Sequence, residues 1–92
     1  MRYFTWDNAK NEKLKSERNI SFEDVVFHVE HGGLLDVVEH PDPDRYFGQK
    51  IMVVSMDDYA YLVPYEEFGD MTVLRTIIPS RRMTRKYLSQ EM

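Results

Sequence analysis

The stretch IMVVSMDDYAYLVPY, which spans residues 51–65, predicts the centre of the fold. Its first part is rich in apolar and β-branched side chains, as is typical of a β-strand. Asp57 and Asp58 have the composition of a turn, and residues 59–65 predict a second strand after it. Pro64 lacks a backbone N–H and therefore indicates an edge strand or a bulge.

The C-terminal part of the chain predicts one more strand and a basic helix. Residues 68–70 have the composition of a turn, and residues 71–78 predict the last strand, which the following proline ends. A helix then begins at Ser80 or Arg81 and continues to about Gln90.

The N-terminal part predicts a short strand and a polar helix. Residues 3–6 are aromatic-rich and predict the strand. Asp7 is the expected N-cap of a helix over residues 8–18, and Asn19 suits the end of that helix.

A second helix and a strand are predicted next. Ser21 begins the helix, Asp24 stands at the position that completes a capping box, and Gly32-Gly33 ends the helix. Residues 34–39 predict a strand, and residues 40–44 predict a loop because they contain two prolines.

These elements predict a single small α+β domain over residues 1–92, in the order β-α-α-β-β-β-α. We expect an antiparallel sheet with the two N-terminal helices packed on one side of it and a basic C-terminal helix. The apolar side chains expected in one core are Phe22, Val26, Ile51, Val53, Leu62, Val73 and Ile77.

Composition excludes several kinds of protein. The chain has 92 residues and no cysteine, so it has no disulfides, thiolate metal sites or cysteine nucleophile. No apolar run approaches a membrane span and no signal-peptide core is present, so we expect a cytoplasmic protein with no membrane partner. A core this small would gain from a stable partner, and a homodimer is one possibility.

The charges are unevenly distributed along the chain. Residues 1–20 contain five basic and three acidic side chains, residues 21–70 two basic and twelve acidic, and residues 71–92 five basic and one acidic. The basic ends either meet to form a phosphate-binding face or merely neutralise the acidic middle.

Metal, cofactor and hydrolase chemistry have little support. His28, His31 and His40 do not have the spacing of a metal site, so no metal and no cofactor is expected. No Gly-rich phosphate loop is present, and no serine has a histidine partner near it in the sequence.

Residues 77–87 give a stronger indication of a functional site, one that binds anions. A helix that begins directly after a strand presents free N–H groups to anions, and Arg81, Arg82, Arg85 and Lys86 add positive charge there. Arginine can also hold a phosphate through two parallel hydrogen bonds. The alternative is a solvated basic helix, or one that docks on an acidic partner.

Three segments resemble a known family. WDNAKNEK (residues 6–13) with NISFEDV (residues 19–25) is similar to the W-D-x-x-K … G-I-S-F-E-E-A signature of BrnT-type toxins. IPSRRMT (residues 78–84) resembles the I-S-A-R-R-A-T segment of that family, and RYFGQK (residues 45–50) its Y-G-E-E-R stretch. The resemblance covers about residues 3–88, and the motifs occur in the family's order.

The resemblance implies a fold like that of the RelE ribonucleases and the toxin component of a type II toxin–antitoxin module. Such a toxin cleaves messenger RNA without a metal ion. A cognate antitoxin, expected here to be a ribbon-helix-helix DNA-binding protein, silences it, so DNA is contacted only through the antitoxin.

Metal-free RNA cleavage needs cations that stabilise the charge developing on the scissile phosphate. The expected catalytic residues are Lys10, Lys50, Arg81 and Arg82, and the expected RNA-binding residues are Lys13, Arg18, Thr84, Arg85 and Lys86. The family motifs match at Lys10, Arg81, Arg82 and Thr84, whereas Lys50 stands where the family tends to have arginine. We expect the first helix, with Lys10, and the start of the last helix to flank one groove.

The chain departs from the family pattern at two places. Residues 17–19 are ERN where the family has K-H-G, so a histidine is missing, and residues 65–67 are YEE where the family has T-E-R, so Glu67 replaces an arginine. The acidic middle would also repel RNA unless it faces away from the basic surface. An alternative hypothesis is therefore a non-catalytic protein with the toxin fold that only binds a protein partner.

Overall fold

All five predicted strand segments and all three predicted helices are present, and the last strand segment is divided in two. The described residues therefore contain six strands, whereas the predicted order β-α-α-β-β-β-α has four. A computed structural model describes residues 3–89. The elements are β1 (Tyr3–Thr5), α1 (Asn8–Arg18), α2 (Phe22–Glu30), β2 (Leu34–Glu39), β3 (Lys50–Met56), β4 (Tyr59–Phe68), β5 (Met71–Leu74), β6 (Ile78–Pro79) and α3 (Arg81–Leu88). The last helix thus ends before Gln90, which lies outside the described residues.

The helix ends confirm the predicted caps. The Asp7 carboxylate accepts from the backbone N–H of Ala9, and Asn19 ends α1 in the left-handed conformation with φ 55°. Ser21 and Asp24 form the full capping box of α2. The Ser80 side chain caps α3.

The sheet is mixed, whereas the sequence predicts an antiparallel one. Its strand order is β1-β5-β4-β3-β2, with β6 also paired to β4. The neighbours β2–β3, β3–β4, β4–β5 and β4–β6 are antiparallel, but β1 pairs with β5 in parallel. Tight turns force antiparallel pairing, and no turn joins β1 to β5, so no local signal sets their relative direction.

The β3–β4 hairpin has the predicted turn. Met56 pairs with Tyr59, and the two residues between them, Asp57 and Asp58, have φ values of 54° and 63°. Two consecutive positive φ angles give the primed turn that matches the twist of the strands.

Pro64 lies in an interior strand, so the prediction of an edge strand is wrong. The alternative prediction of a bulge agrees with a one-residue register shift at this point, where residues 75–77 stand opposite Val63 and Pro64. Pro64 pairs in register with Ile51 of β3, and its carbonyl accepts from the Arg75 N–H at 2.8 Å on the other side. Because N–H and C=O of one residue point the same way in an antiparallel ladder, the missing N–H faces the gap between β5 and β6. The predicted last strand is split at this gap.

The helices cover both faces of the sheet. On one face Leu14 of α1 and Phe22 and Val25 of α2 pack in one cluster with strand residues such as Met52 and Val54. This confirms that the two N-terminal helices share a side. On the other face α3 crosses the strands, and its Tyr87 hydroxyl donates to the carboxylate of Asp36, the residue opposite Val53.

The predicted single core combines side chains from both faces. Phe22 and Ile77 belong to the cluster under α1 and α2, and Val26 packs against it. Ile51, Val53, Leu62 and Val73 alternate with members of that cluster and therefore lie on the α3 face. A strand buried on both faces has a continuous apolar sequence, which does not show which residues share a face.

Candidate functional site

One surface of α3 carries the strongest concentration of positive charge in the described residues. Arg81, Arg82, Arg85 and Lys86 are exposed, while Met83, Thr84 and Tyr87 are half-buried toward the sheet. Within residues 3–89 none of the four cations forms an ion pair, although the Lys86 ammonium lies 5.3 Å from the centre of the Tyr87 ring. These four side chains are called the α3 surface below.

The α3 surface is held in place at both ends of its helix. At the start, the Ser80 N–H donates to the Ala60 carbonyl at 2.9 Å. The Thr84 hydroxyl accepts from the Ala60 N–H and donates to the Ser80 carbonyl, both at 2.8 Å. Thr84, which is predicted to bind RNA, therefore connects α3 to β4 and is half-buried.

The other end of α3 is held by the bond from Tyr87 to Asp36. This hydrogen bond is the largest cause of two pKa shifts, because it raises the pKa of the Tyr87 phenol and lowers that of the Asp36 carboxyl. It stabilises the form in which the phenol is protonated and the carboxylate is ionised. The Lys86 charge lowers the Asp36 pKa further.

The end of α1 meets the same edge of the sheet at which α3 begins. Nη1 of Arg18 donates to the Ile77 carbonyl at 3.0 Å, just before β6. A cleft of about 370 Å³ lies there, lined by Arg18, Ile20, Tyr61, Ile77 and Pro79. Of the site cations predicted on α1, Arg18 is thus the one that contacts the segment leading into α3.

The cleft adjoins a smaller cavity of about 120 Å³. The two share Arg18, Ile20 and Tyr61, and the smaller one is also lined by Asn19, Asp24, His28, Met56 and Asp57. The cleft and the cavity together are called the edge groove below. It lies between the α1–α2 turn and strands β4 and β6.

Lys10 and Lys13 do not join the α3 surface. They lie on α1, which packs on the opposite face of the sheet from α3. Lys10 precedes Arg18 by eight residues, or about 12 Å along the helix axis. The expectation that Lys10 and Arg81 flank one groove is therefore wrong, because the sheet separates them.

Lys50 lies at the other end of the strands. It pairs with Tyr65 of β4, whereas Ser80, which precedes α3, bonds to Ala60, five residues away along the strand, or about 17 Å. Lys50 also alternates with Ile51 and therefore lies on the α1–α2 face. The four predicted catalytic cations occupy three separate places.

Of the residues that line the edge groove, only Arg18 is among the predicted site residues. His28 is predicted to be structural or solvated, and Tyr61 and Asp57 are predicted only as parts of a strand and a turn. His28 follows Asp24 by one helical turn, so their shared face is visible in the sequence. Their proximity to Tyr61 depends on how α2 packs on the sheet, which no local pattern shows.

Within residues 3–89 no group of three or more His, Cys, Asp or Glu side chains is placed to hold a metal ion. In the same part of the chain, none of the helices is both long and apolar enough to cross a membrane. No family model, curated protein or solved structure matches this chain.

Proposed function

We propose that this protein is the toxin component of a type II toxin–antitoxin module. In this proposal it is a metal-independent endoribonuclease that cleaves messenger RNA, and a cognate DNA-binding antitoxin neutralises it. Two things support the proposal: the resemblance of three sequence segments to BrnT-type toxins, and the α3 surface.

The α3 surface is the single observation that carries the RNA-binding part. Its four cations are exposed on one helix and make no ion pair within residues 3–89, so no acidic partner there must be displaced before RNA binds. Phosphate contacts of this kind supply most of the affinity of sequence-independent binding. Arg81 and Arg82 can each grip a phosphate through two parallel hydrogen bonds.

Two carboxylates on the α3 face are engaged within the protein. The Arg75 guanidinium lies 2.7 Å from Glu66, and Asp36 accepts the Tyr87 hydroxyl. The acidic middle of the sequence is therefore partly neutralised where it shares a face with α3. This reduces the repulsion that the sequence alone predicts between this face and RNA.

Controlled expression of the full chain in growing cells tests the proposal. We expect growth to stop and messenger RNA to be cleaved, and we expect the double variant Arg81→Ala/Arg82→Ala to do neither. Arg45→Ala/Lys15→Ala removes the same charge from exposed sites away from α3 and serves as the matched control. Intact RNA and normal growth with the unchanged chain, at confirmed expression, would rule out the ribonuclease activity.

A second candidate function rests on a different surface. Tyr3, Met71 and Phe68 are 57%, 39% and 58% exposed and stand in register across β1, β5 and β4. Such an apolar row suits a protein partner. A non-catalytic protein with this fold would leave RNA intact and still bind a ribbon-helix-helix antitoxin, as co-purification of the two proteins would show.

A further inference from the structure

The edge groove brings an imidazole, a guanidinium and a phenol together. His28 and Asp57 line its inner part, and Arg18 and Tyr61 line both parts. Pro79, two residues before Arg81, lines its outer part, so a strand of RNA on Arg81 can continue into it. The outer cleft, at about 370 Å³, is within the usual range of ligand sites.

The side-chain hydrogen bond of His28 determines which ring nitrogen can act as a base. Its Nδ1 lies 2.8 Å from the backbone carbonyl of Asp24. A carbonyl only accepts, so Nδ1 carries the hydrogen and Nε2 is the basic nitrogen of the neutral ring. The bond thus selects the tautomer of the neutral ring in which Nε2 can accept a proton, as a general base must.

We propose that His28 is the general base of RNA cleavage in the edge groove; this rests on the proposed ribonuclease function. Nε2 takes the proton of a ribose 2′-OH, and the 2′-oxygen forms a bond to the adjacent phosphorus. The P–O5′ bond breaks, and the proton returns from the imidazolium, through water, to the 5′-oxygen. The products are a 2′,3′-cyclic phosphate and a 5′-hydroxyl, with no atom gained or lost and no redox change.

Arg18 holds the scissile phosphate in this arrangement. Its bond to the Ile77 carbonyl uses one of five guanidinium donors and fixes the group at the groove. The remaining donors are placed to stabilise the charge that develops on the phosphate oxygens. Tyr61 offers an aromatic ring against which a neighbouring base can stack.

The two carboxylates of the groove have different surroundings. The Asp24 carboxylate accepts the Ser21 N–H in the cap of α2. Asp57 is exposed in the β3–β4 turn and repels a phosphate that enters the groove. We therefore expect Asp57→Asn to tighten RNA binding by about 2–5-fold, as removal of one nearby negative charge would.

Cleavage of a single-stranded RNA of mixed sequence by the purified chain tests the role of His28. His28→Ala should slow cleavage by about 10²–10⁴-fold. His31→Ala is the matched control, because the His31 Nδ1 also lies against a helix carbonyl, that of Phe27 at 2.7 Å, but the ring is outside the groove. Binding of the non-cleavable 2′-O-methyl strand, measured by fluorescence anisotropy, should be the same for both variants.

Each outcome has a distinct meaning. A cyclic phosphate in the fragments, loss of cleavage with an all-2′-deoxy strand, and slow cleavage by His28→Ala alone would support the proposal. Wild-type rates in His28→Ala would overturn it and leave the ribonuclease function intact. If the unchanged chain binds the 2′-O-methyl strand but does not cleave RNA, both the ribonuclease activity and the role of His28 are excluded, while RNA binding by α3 stands.

Discussion

Asn11 joins the two N-terminal helices through both atoms of its side-chain amide. It is 2% exposed, and its Oδ1 accepts the Phe22 N–H at 2.8 Å while Nδ2 donates to Glu23 at 2.7 Å. The first bond satisfies a backbone donor at the start of α2 that has no partner within the helix. Asn11 therefore links α1 to the start of α2, and these two helices contribute residues to one wall of the edge groove.

Asn11→Ala should lower the free energy of unfolding by about 1–3 kcal/mol, because it leaves the buried Phe22 N–H without its partner. Urea denaturation measures this, with Asn8→Ala, at an exposed position of the same helix, as the control. The bond from Asn11 is the largest cause of the lowered pKa of Glu23, so that pKa should rise toward its ordinary value in the variant. An unchanged midpoint and pKa would show that Asn11 does not join the helices.

At the scale of elements, the bond between Tyr87 and Asp36 holds the C-terminal end of α3. The Asp36 pKa is lowered, so the stabilisation is present above the ordinary aspartate pKa and is lost as the pH falls through the lowered value. The Tyr87 pKa is raised, so the stabilisation is also present below the ordinary tyrosine pKa and is lost as the pH rises through the raised value. The end of α3 should be held firmly between these two limits.

Tyr87→Phe keeps the ring and removes the hydroxyl, so it should release the end of α3 at every pH. We expect faster amide hydrogen exchange at residues 85–88 in the variant at neutral pH, with no change in α2. In the unchanged chain, exchange at residues 85–88 should become faster, relative to the intrinsic rate at the same pH, only at the acid and alkaline limits. Equal exchange in the two proteins at neutral pH would show that other contacts hold α3.

The elements differ in how far the sequence predicts them. The reason is that some features depend on residues close together in the sequence and others on contacts between distant residues. The caps at Asp7 and Ser21 and the turn at Asp57-Asp58 are local, and all are predicted. The parallel pairing of β1 with β5 and the assignment of Ile51 to the α3 face depend on contacts between distant residues. No pattern within a single element contains that information.

The same distinction applies to the candidate site. The α3 surface is visible as the run of basic residues after Pro79, because consecutive helical turns place them together. The edge groove is assembled from α1, α2, β4 and β6, so its residues are distant in sequence. Sequence reasoning therefore finds the charge of the proposed RNA-binding surface but not the histidine of the edge groove.

At the scale of the whole molecule, the basic residues of the two chain ends are divided between the two faces of the sheet. Arg81, Arg82, Arg85 and Lys86 lie on α3, and Lys10 and Lys13 lie on α1. Arg18 and the start of α3 meet at one sheet edge. A single RNA strand that lies on α3 and enters the edge groove would contact Arg18 but neither Lys10 nor Lys13.

The salt dependence of RNA binding tests this division. Each phosphate contact to a single strand contributes about −0.7 to the slope of log K against log salt, so four contacts on α3 and one to Arg18 predict a slope of about −3.5. Arg81→Ala/Arg82→Ala should reduce it by about 1.4. Lys10→Ala should leave it unchanged, because the sheet separates Lys10 from α3. Anisotropy of a labelled 2′-O-methyl strand over a salt series gives each slope.

The pattern of slopes distinguishes three arrangements of the bound strand. If the slope becomes smaller only in the double arginine variant, the RNA lies on α3. If it also becomes smaller in Arg18→Ala, the path of the RNA extends into the edge groove. A loss in Lys10→Ala as large as one arginine contact would mean that RNA wraps around the sheet edge onto α1. If no variant changes the slope, the cations of α3 do not contact RNA, and their exposed charge is better explained as a docking surface for an acidic protein partner.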